Sequence, residues 1–289
     1  MEITRKTIEV NSQQERIRTS VITAGESGPV VVLLHGGGTD NASLSWGLLI
    51  PELAKTHRVI AFDWPGYGES DRHRHIRYTS EFFIQFLHDL LDTLGIPSAS
   101  FAGLSMGGMA AIGFALRWPE RVEKLALVDS YGLQPALDYH KLYYLYMKIP
   151  FVNELTWWLS GSRPMMRLVL KGLLRRPEAL TEALFEEVYQ AMKHPGGHHA
   201  WFFFQNHEMT WKGQRTCFMK RLGEISAPTL IVHGTKDNAV PAKYAVEAHE
   251  RIRGSKLYWM EGCGHWPQRD NPEEFNRVMK SFFCDDAVS

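Results

Sequence analysis

Ser105 lies in the run Gly103-Leu104-Ser105-Met106-Gly107, a G-x-S-x-G pattern. A serine hydroxyl is a poor nucleophile until a base takes its proton. The pattern gains meaning from its flanks. Residues 99–104 read as a strand and 106–118 as a helix, so the serine falls on a strand-to-helix turn. There the first backbone N–H groups of the helix favour developing negative charge. Gly103 and Gly107 are small enough to let such a turn close.

The base should be a histidine on a loop after a late strand. His265 fits, in Gly262-Cys263-Gly264-His265-Trp266-Pro267, just past a strand ending at Met260. The acid that orients it is expected at Asp237, directly after the strand 229–233, giving the chain order Ser105, Asp237, His265. Asp129, at the end of the strand 122–128, is the alternative acid. An oxyanion needs two backbone donors. Met106, the residue after the nucleophile, supplies one, and Gly37 in His35-Gly36-Gly37-Gly38 is the candidate for the other. No Gly-x-Gly-x-x-Gly or Gly-Lys-Ser/Thr pattern follows that strand, so this is not a nucleotide loop.

The remaining reactive residues read as structural. His194, His198 and His199, around the break Pro195-Gly196-Gly197, lack the cysteine or carboxylate spacing of a zinc site. Cys217, Cys263 and Cys284 match no metal pattern and read as free thiols of a reducing compartment. No metal and no cofactor are expected.

Elements must hold these groups together. Residues 3–10 and 17–23 alternate like a hairpin. Residues 29–34 form an unbroken run of the kind found in parallel-sheet strands buried on both faces, and 58–63 read as a further strand. Helices are expected over 46–56, with Pro51 inside, and over 79–94, where Phe82, Phe83, Phe86, Leu87, Leu90, Leu91 and Leu94 recur at helical spacing. Later, 228–234 and 256–260 read as strands and 242–253 and 272–283 as helices. Strands alternating with helices predict an α/β fold, a mostly parallel eight-stranded sheet with helices on both faces. Residues 131–222 contain no clear buried strand and are rich in aromatic side chains, so they read as an inserted helical cap on a core formed by 1–130 and 223–289. Between cap and core an apolar pocket is expected, lined by Gly38, Leu104, Trp158, Val240 and Trp266.

Bulk composition excludes some classes. The 289 residues are 44% hydrophobic and 22% charged, with Lys plus Arg and Asp plus Glu both 32. Zero formal net charge gives no reason to expect nucleic acid or an anionic membrane as partner. No leader-like or membrane-spanning apolar run is found, so a cytoplasmic location is expected. The expected partner is a small-molecule substrate, with a homodimer left open.

Four segments carry a resemblance to the α/β-hydrolase superfamily: 34–38, 63–70, 103–108 and Gly264-His265. Within it the chain most resembles the meta-cleavage-product, carbon–carbon bond hydrolases, in its triple glycine after His35, in Cys263-Gly264-His265-Trp266-Pro267-Gln268 and in Glu274-Phe275-Asn276-Arg277. That group usually has Asn where this chain has Leu104, and it holds the substrate carboxylate with a cap arginine, to which none of Arg163, Arg167, Arg175 and Arg176 aligns. Ser105 excludes the relatives that use an aspartate nucleophile. The expected activity is therefore hydrolysis of a small, largely apolar carboxylic ester, in the carboxylesterase class. Carbon–carbon cleavage of a dienoate is the alternative, and a slow-turnover ligand receptor is a third reading.

Overall fold

The computed structural model describes residues 2–194 and 197–285. Pro195 and Gly196, part of the break read from sequence, lie outside the described residues. The chain opens with the hairpin β1 (Ile3–Ser12) and β2 (Glu15–Ala24), followed by β3 (Val30–Leu34). The helix expected over 46–56 is two short ones, α1 (Ala42–Trp46) and α2 (Ile50–Leu53). Pro51 has no N–H to give to a preceding turn, so it stands in the first turn of α2 instead of inside a longer helix.

Next come β4 (Arg58–Phe62), α3 (Ser80–Thr93), β5 (Ala99–Leu104), α4 (Met106–Arg117) and β6 (Val122–Val128). Thr79 caps α3, its hydroxyl accepting the N–H of Phe82 at 3.1 Å. The apolar stripe of α3 buries Phe82, Phe83, Phe86, Leu87 and Leu90 against the sheet, each contributing roughly 1.5–3 kcal/mol.

Five helices then intervene: α5 (His140–Met147), α6 (Val152–Ser160), α7 (Arg163–Leu173), α8 (Glu182–Lys193) and α9 (Gly197–Glu208). The strands β7 (Met209–Thr210) and β8 (Gly213–Gln214) pair as a small antiparallel ribbon that the sequence pattern did not suggest. Two residues per strand are too few to display an alternation. The core resumes with β9 (Thr229–Gly234), α10 (Lys243–Arg251), β10 (Lys256–Met260), α11 (Pro267–Asp270) and α12 (Pro272–Phe283).

The main sheet has eight strands in the order β1-β2-β4-β3-β5-β6-β9-β10. β1 and β2 run antiparallel to their neighbours and the rest are parallel. One apolar layer, with α3 and α4, covers one face, and a second, with α1 and α12, covers the other. β5 is buried along its whole length, as a central parallel strand must be. The parallel strands β3, β5, β6, β9 and β10 are consecutive neighbours. Their carboxyl ends therefore form one rim, where open α/β sheets place their sites.

Candidate active site

Each of those strand ends delivers one element of the site. Ser105 follows β5 directly, and its backbone sits at φ 49°, ψ −113°, a strained conformation for a residue with a side chain. Hydrogen bonds fix it there: its N–H donates to Val128 O at 2.9 Å, and its carbonyl accepts the N–H of Met109 and of Tyr131, each at 3.0 Å. A Cβ on Gly103 would strike the backbone of Gly107, and a Cβ on Gly107 would strike the carbonyls of Leu34 and His35. Both glycines are thus demanded by close approach.

β10 leads to His265 and β9 to Asp237. The imidazole Nδ1 of His265 lies 2.8 Å from Asp237 Oδ2. With Nδ1–H donating to the carboxylate, Nε2 is left as the proton acceptor. Burial alone would raise the Asp237 pKa. The charge and hydrogen bond of His265, with the N–H of Ala239 at 2.7 Å, outweigh it and hold Asp237 below its ordinary value.

Asp129 directly follows β6, fully buried beside this pair. Its Oδ1 accepts the N–H of Gly234 at 3.0 Å and lies 3.3 Å from Nδ1 of His233. Burial first, and then the negative charge of Asp237, push the Asp129 carboxyl well above the ordinary range. Two adjacent carboxylates are thus driven apart, one toward the acid form and one toward the anion. Asp129, Asp237 and His265 also present ligand atoms within 4.8 Å of one another. The two best donors there already bind each other, which leaves little for a cation.

β3 leads into the glycine loop. Gly36 N–H and Ser45 Oγ both donate to Asp40 Oδ2 at 2.7 Å, pinning the loop from behind. His35 accepts the Trp64 N–H at 3.0 Å on Nε2 and contacts the Gly36 carbonyl at 2.8 Å through Nδ1. At Gly37 a Cβ would run into the ring of Trp201 on α9.

Ser105, Met106, Gly37 and His265 all line one cavity of about 490 Å³. Gly38, Leu104, Val240 and Trp266 line it as well. Trp158 does not: it is 73% exposed, and its neighbour Trp157 faces the cavity. Successive residues of α6 point about 100° apart, so only one of the pair can face inward. The intervening helices also contribute Met166, Leu170, Trp201 and Phe204. The pocket set expected from sequence, Gly38, Leu104, Trp158, Val240 and Trp266, includes none of these, nor Gln134, Glu208 and Gln214, which also line the cavity. No Lys or Arg lines it among the described residues. Arg163 and Arg167 instead pair with Glu182 of α8 at the surface.

The His265 loop is fastened to the end of α7. His265 N–H donates to Leu173 O at 2.9 Å, and Asp270 accepts N–H groups from Gly264 at 2.6 Å, Arg175 at 3.0 Å and Arg176 at 3.1 Å. Burial holds Asp270 above its ordinary pKa, opposed by those three N–H groups.

A doubly covered, mostly parallel eight-stranded sheet with a serine elbow at its rim defines the α/β-hydrolase class. The chain belongs to the alpha/beta hydrolase family, whose sequence pattern matches residues 31–278. Among curated proteins it is 29% identical over 270 residues to 2-hydroxy-6-oxo-2,4-heptadienoate hydrolase of Pseudomonas putida, covering 93% of each chain. It is 31% identical over 291 residues to 2-hydroxy-6-oxononadienedioate/2-hydroxy-6-oxononatrienedioate hydrolase of Klebsiella pneumoniae, covering 97% of this chain and 96% of the relative. Among solved structures it superposes on the meta-cleavage product hydrolase of Pseudomonas fluorescens IP01 with TM-score 0.80 and 26% identity, covering 96% and 97% of the two chains. None of the helices among the described residues is long and apolar enough to cross a membrane.

Proposed function

We propose that this hydrolase cleaves at the carbonyl of an uncharged, largely apolar substrate, with Ser105 as nucleophile, His265 as base and Asp237 as acid. Residues 131–222 act as the cap over the cavity. Ser105 Oγ attacks the carbonyl carbon while His265 Nε2 takes its proton. The amides of Gly37 and Met106 receive the oxyanion, and Asp237 stabilises the imidazolium. Collapse of the adduct breaks the bond to the leaving group, which takes the proton from His265. Water, activated by the same imidazole, then releases the acyl group from Ser105. The observation that carries this reading is the 2.8 Å His265–Asp237 contact at the cavity where Ser105 stands strained.

The bond cleaved has two readings. The cavity supports an ester, because it holds the acids Glu208 and Asp40 and, among the described residues, no cation to receive a substrate carboxylate. The curated relatives support the other reading, since those described above are named for dienoate substrates. For them the same serine and histidine would cleave a carbon–carbon bond next to the carbonyl. Parallel assays decide. Ser105-dependent release of p-nitrophenolate from acetate and butyrate esters, without bleaching of 2-hydroxy-6-oxohepta-2,4-dienoate, is the expected result. Bleaching of the dienoate at a higher kcat/KM would assign carbon–carbon cleavage instead. Inertness of both, equal to Ser105→Ala, would remove the hydrolase reading.

A further inference from the structure

Three neighbouring helices carry an apolar stripe on a side that meets solvent. On α6, Leu155, Trp158 and Leu159 stand exposed at i, i+3 and i+4, and the helix has no buried residue at all. α7 repeats the spacing with the exposed Met165, Leu168 and Val169. α5 does so with Leu142, Leu145 and Tyr146. A stripe at this spacing is the face a helix ordinarily gives to a core.

The three helices form one layer. α6 packs against both α5 and α7, and the Tyr146 and Thr156 hydroxyls meet at 2.5 Å across the first of these contacts. Tyr143, Trp157 and Leu170 of the same helices line the cavity. Successive helical residues point about 100° apart, so each helix has one side at the cavity and its stripe on another. Val169 is shared, exposed and also in the cavity wall. Apolar residues scattered singly over a surface need no partner, but patches of several hundred Å² mark interaction sites. Phe151 and Trp158, 81% and 73% exposed, alone offer roughly 300 Å².

Charge narrows the partner. From α5 to α7, residues 140–173, there are five basic side chains, Lys141, Lys148, Arg163, Arg167 and Lys171, and one acid, Glu154. Arg163 and Arg167 are occupied by Glu182 of α8. Lys141, Lys148 and Lys171 have no acidic partner among the described residues. The first two lie over the rings of Trp211 and Tyr144, each at 5.2 Å. The zero net charge of the whole chain averages this local excess away.

We infer that the α5–α7 layer is a docking face for an anionic lipid surface. Leucine, tryptophan and phenylalanine enter the boundary between headgroups and chains, and the lysine stems let their charges reach the phosphates. A second copy of the chain fits the face poorly, since two-fold pairing would set the unpaired lysines against one another. No helix among the described residues crosses a membrane, so the contact is peripheral. It holds whichever bond the enzyme cleaves, and it sets the cavity wall against a reservoir of apolar acyl compounds.

Vesicle flotation tests it. The unaltered chain should partition onto phosphatidylcholine vesicles containing one quarter phosphatidylglycerol at least about tenfold more strongly than onto phosphatidylcholine alone. About 0.5 M NaCl should remove most of that difference. The triple variant Leu142→Ser, Leu155→Ser, Leu168→Ser, one change per helix, should partition at least about tenfold less. Lys141→Gln, Lys148→Gln and Lys171→Gln together should erase the preference for the anionic vesicles. Ser105→Ala should float like the parent, which separates this face from the reaction. Failure of the unaltered chain to float overturns the inference, as does a leucine variant that is folded by circular dichroism and floats like the parent. A parent dimer that the leucine changes dissociate, with no flotation, gives the face to a second copy instead. Should the leucine variant not fold, brominated lipid reads the contact in a milder one: Trp158→Phe should lose most of the fluorescence quenching seen in the parent, and undiminished quenching would place the contact elsewhere.

Discussion

His265 N–H and Leu173 O are hydrogen-bonded at 2.9 Å, so the loop carrying the imidazole is attached directly to the end of a helix of the 131–222 segment. Gly264 permits this approach, since a Cβ there would collide with the Leu173 carbonyl. The Asp270 carboxylate completes the junction from below, through Gly264, Arg175 and Arg176. The proposed cap and the proposed base therefore share one backbone joint.

Asp270→Ala should be costly at that joint. It strands the buried N–H of Gly264, worth about 1–3 kcal/mol when left unpaired, and the half-buried N–H groups of Arg175 and Arg176. Thermal unfolding followed by circular dichroism should drop by several degrees. The kcat/KM for a short p-nitrophenyl ester should fall at least tenfold at temperatures where the variant is still folded. An unaltered kcat/KM would mean that the joint does not position His265.

The two buried aspartates should separate cleanly. Asp237→Asn removes the partner of His265 Nδ1 and should lower kcat by about 10³–10⁴. Asp129 is the more buried and is held toward its acid form, so Asp129→Asn should keep kcat within about threefold. Reversal of that order would make Asp129 the acid.

A pH dependence follows from the same residue. The folded chain keeps a proton on Asp129 that the unfolded chain releases above about pH 4. The stability from this group is complete below that pH and is lost as pH rises toward the folded-state value, at up to about 1.4 kcal/mol per unit. Asp129→Asn has no such proton. Urea unfolding at pH 5, 6, 7 and 8 should give the variant a flatter decline than the parent. Parallel curves would show that Asp129 is ionised in the folded protein.

Gly37→Ala should be damaging for a steric reason, because its methyl group would enter the ring of Trp201. Pushing the amide away from the oxyanion should cost about 2.7–4 kcal/mol of barrier, or 10²–10³ in kcat. Trp201→Ala in the same chain should return part of that loss, which a loop merely unfolded by the alanine would not permit.

Much of this was written plainly in the sequence. The apolar run 30–34, the glycine-flanked Ser105 and the late His265 each state a local physical demand, and local demands are legible. α12 falls on the residues its apolar spacing marked, 272–283. The cavity wall was harder to read, because facing depends on how helices are rotated about their axes. Trp157 and Trp158 look alike in sequence, yet one lines the cavity and the other lies in solvent. Gln134 and Gln214 stand 80 positions apart and carry no motif. Backbone hydrogen bonds such as Gln214 N–H to Pro135 O and Phe218 N–H to Gly132 O join the two segments. Pro51, inside the helix expected over 46–56, stands in the first turn of the separate helix α2.

The position of β10 has a further consequence. It is the outermost strand at its end of the sheet, five residues long, paired on one side only, with Leu257, Tyr258 and Trp259 half-buried. Outer strands of this kind fray at a small fraction of the free energy that unfolds a whole molecule. Ser105 directly follows β5, which is buried along its whole length. The proposed nucleophile thus stands at the end of a central strand and its proposed base beyond a half-buried outer one, so gentle warming should disarm the enzyme while most of its amide protons are still shielded from exchange.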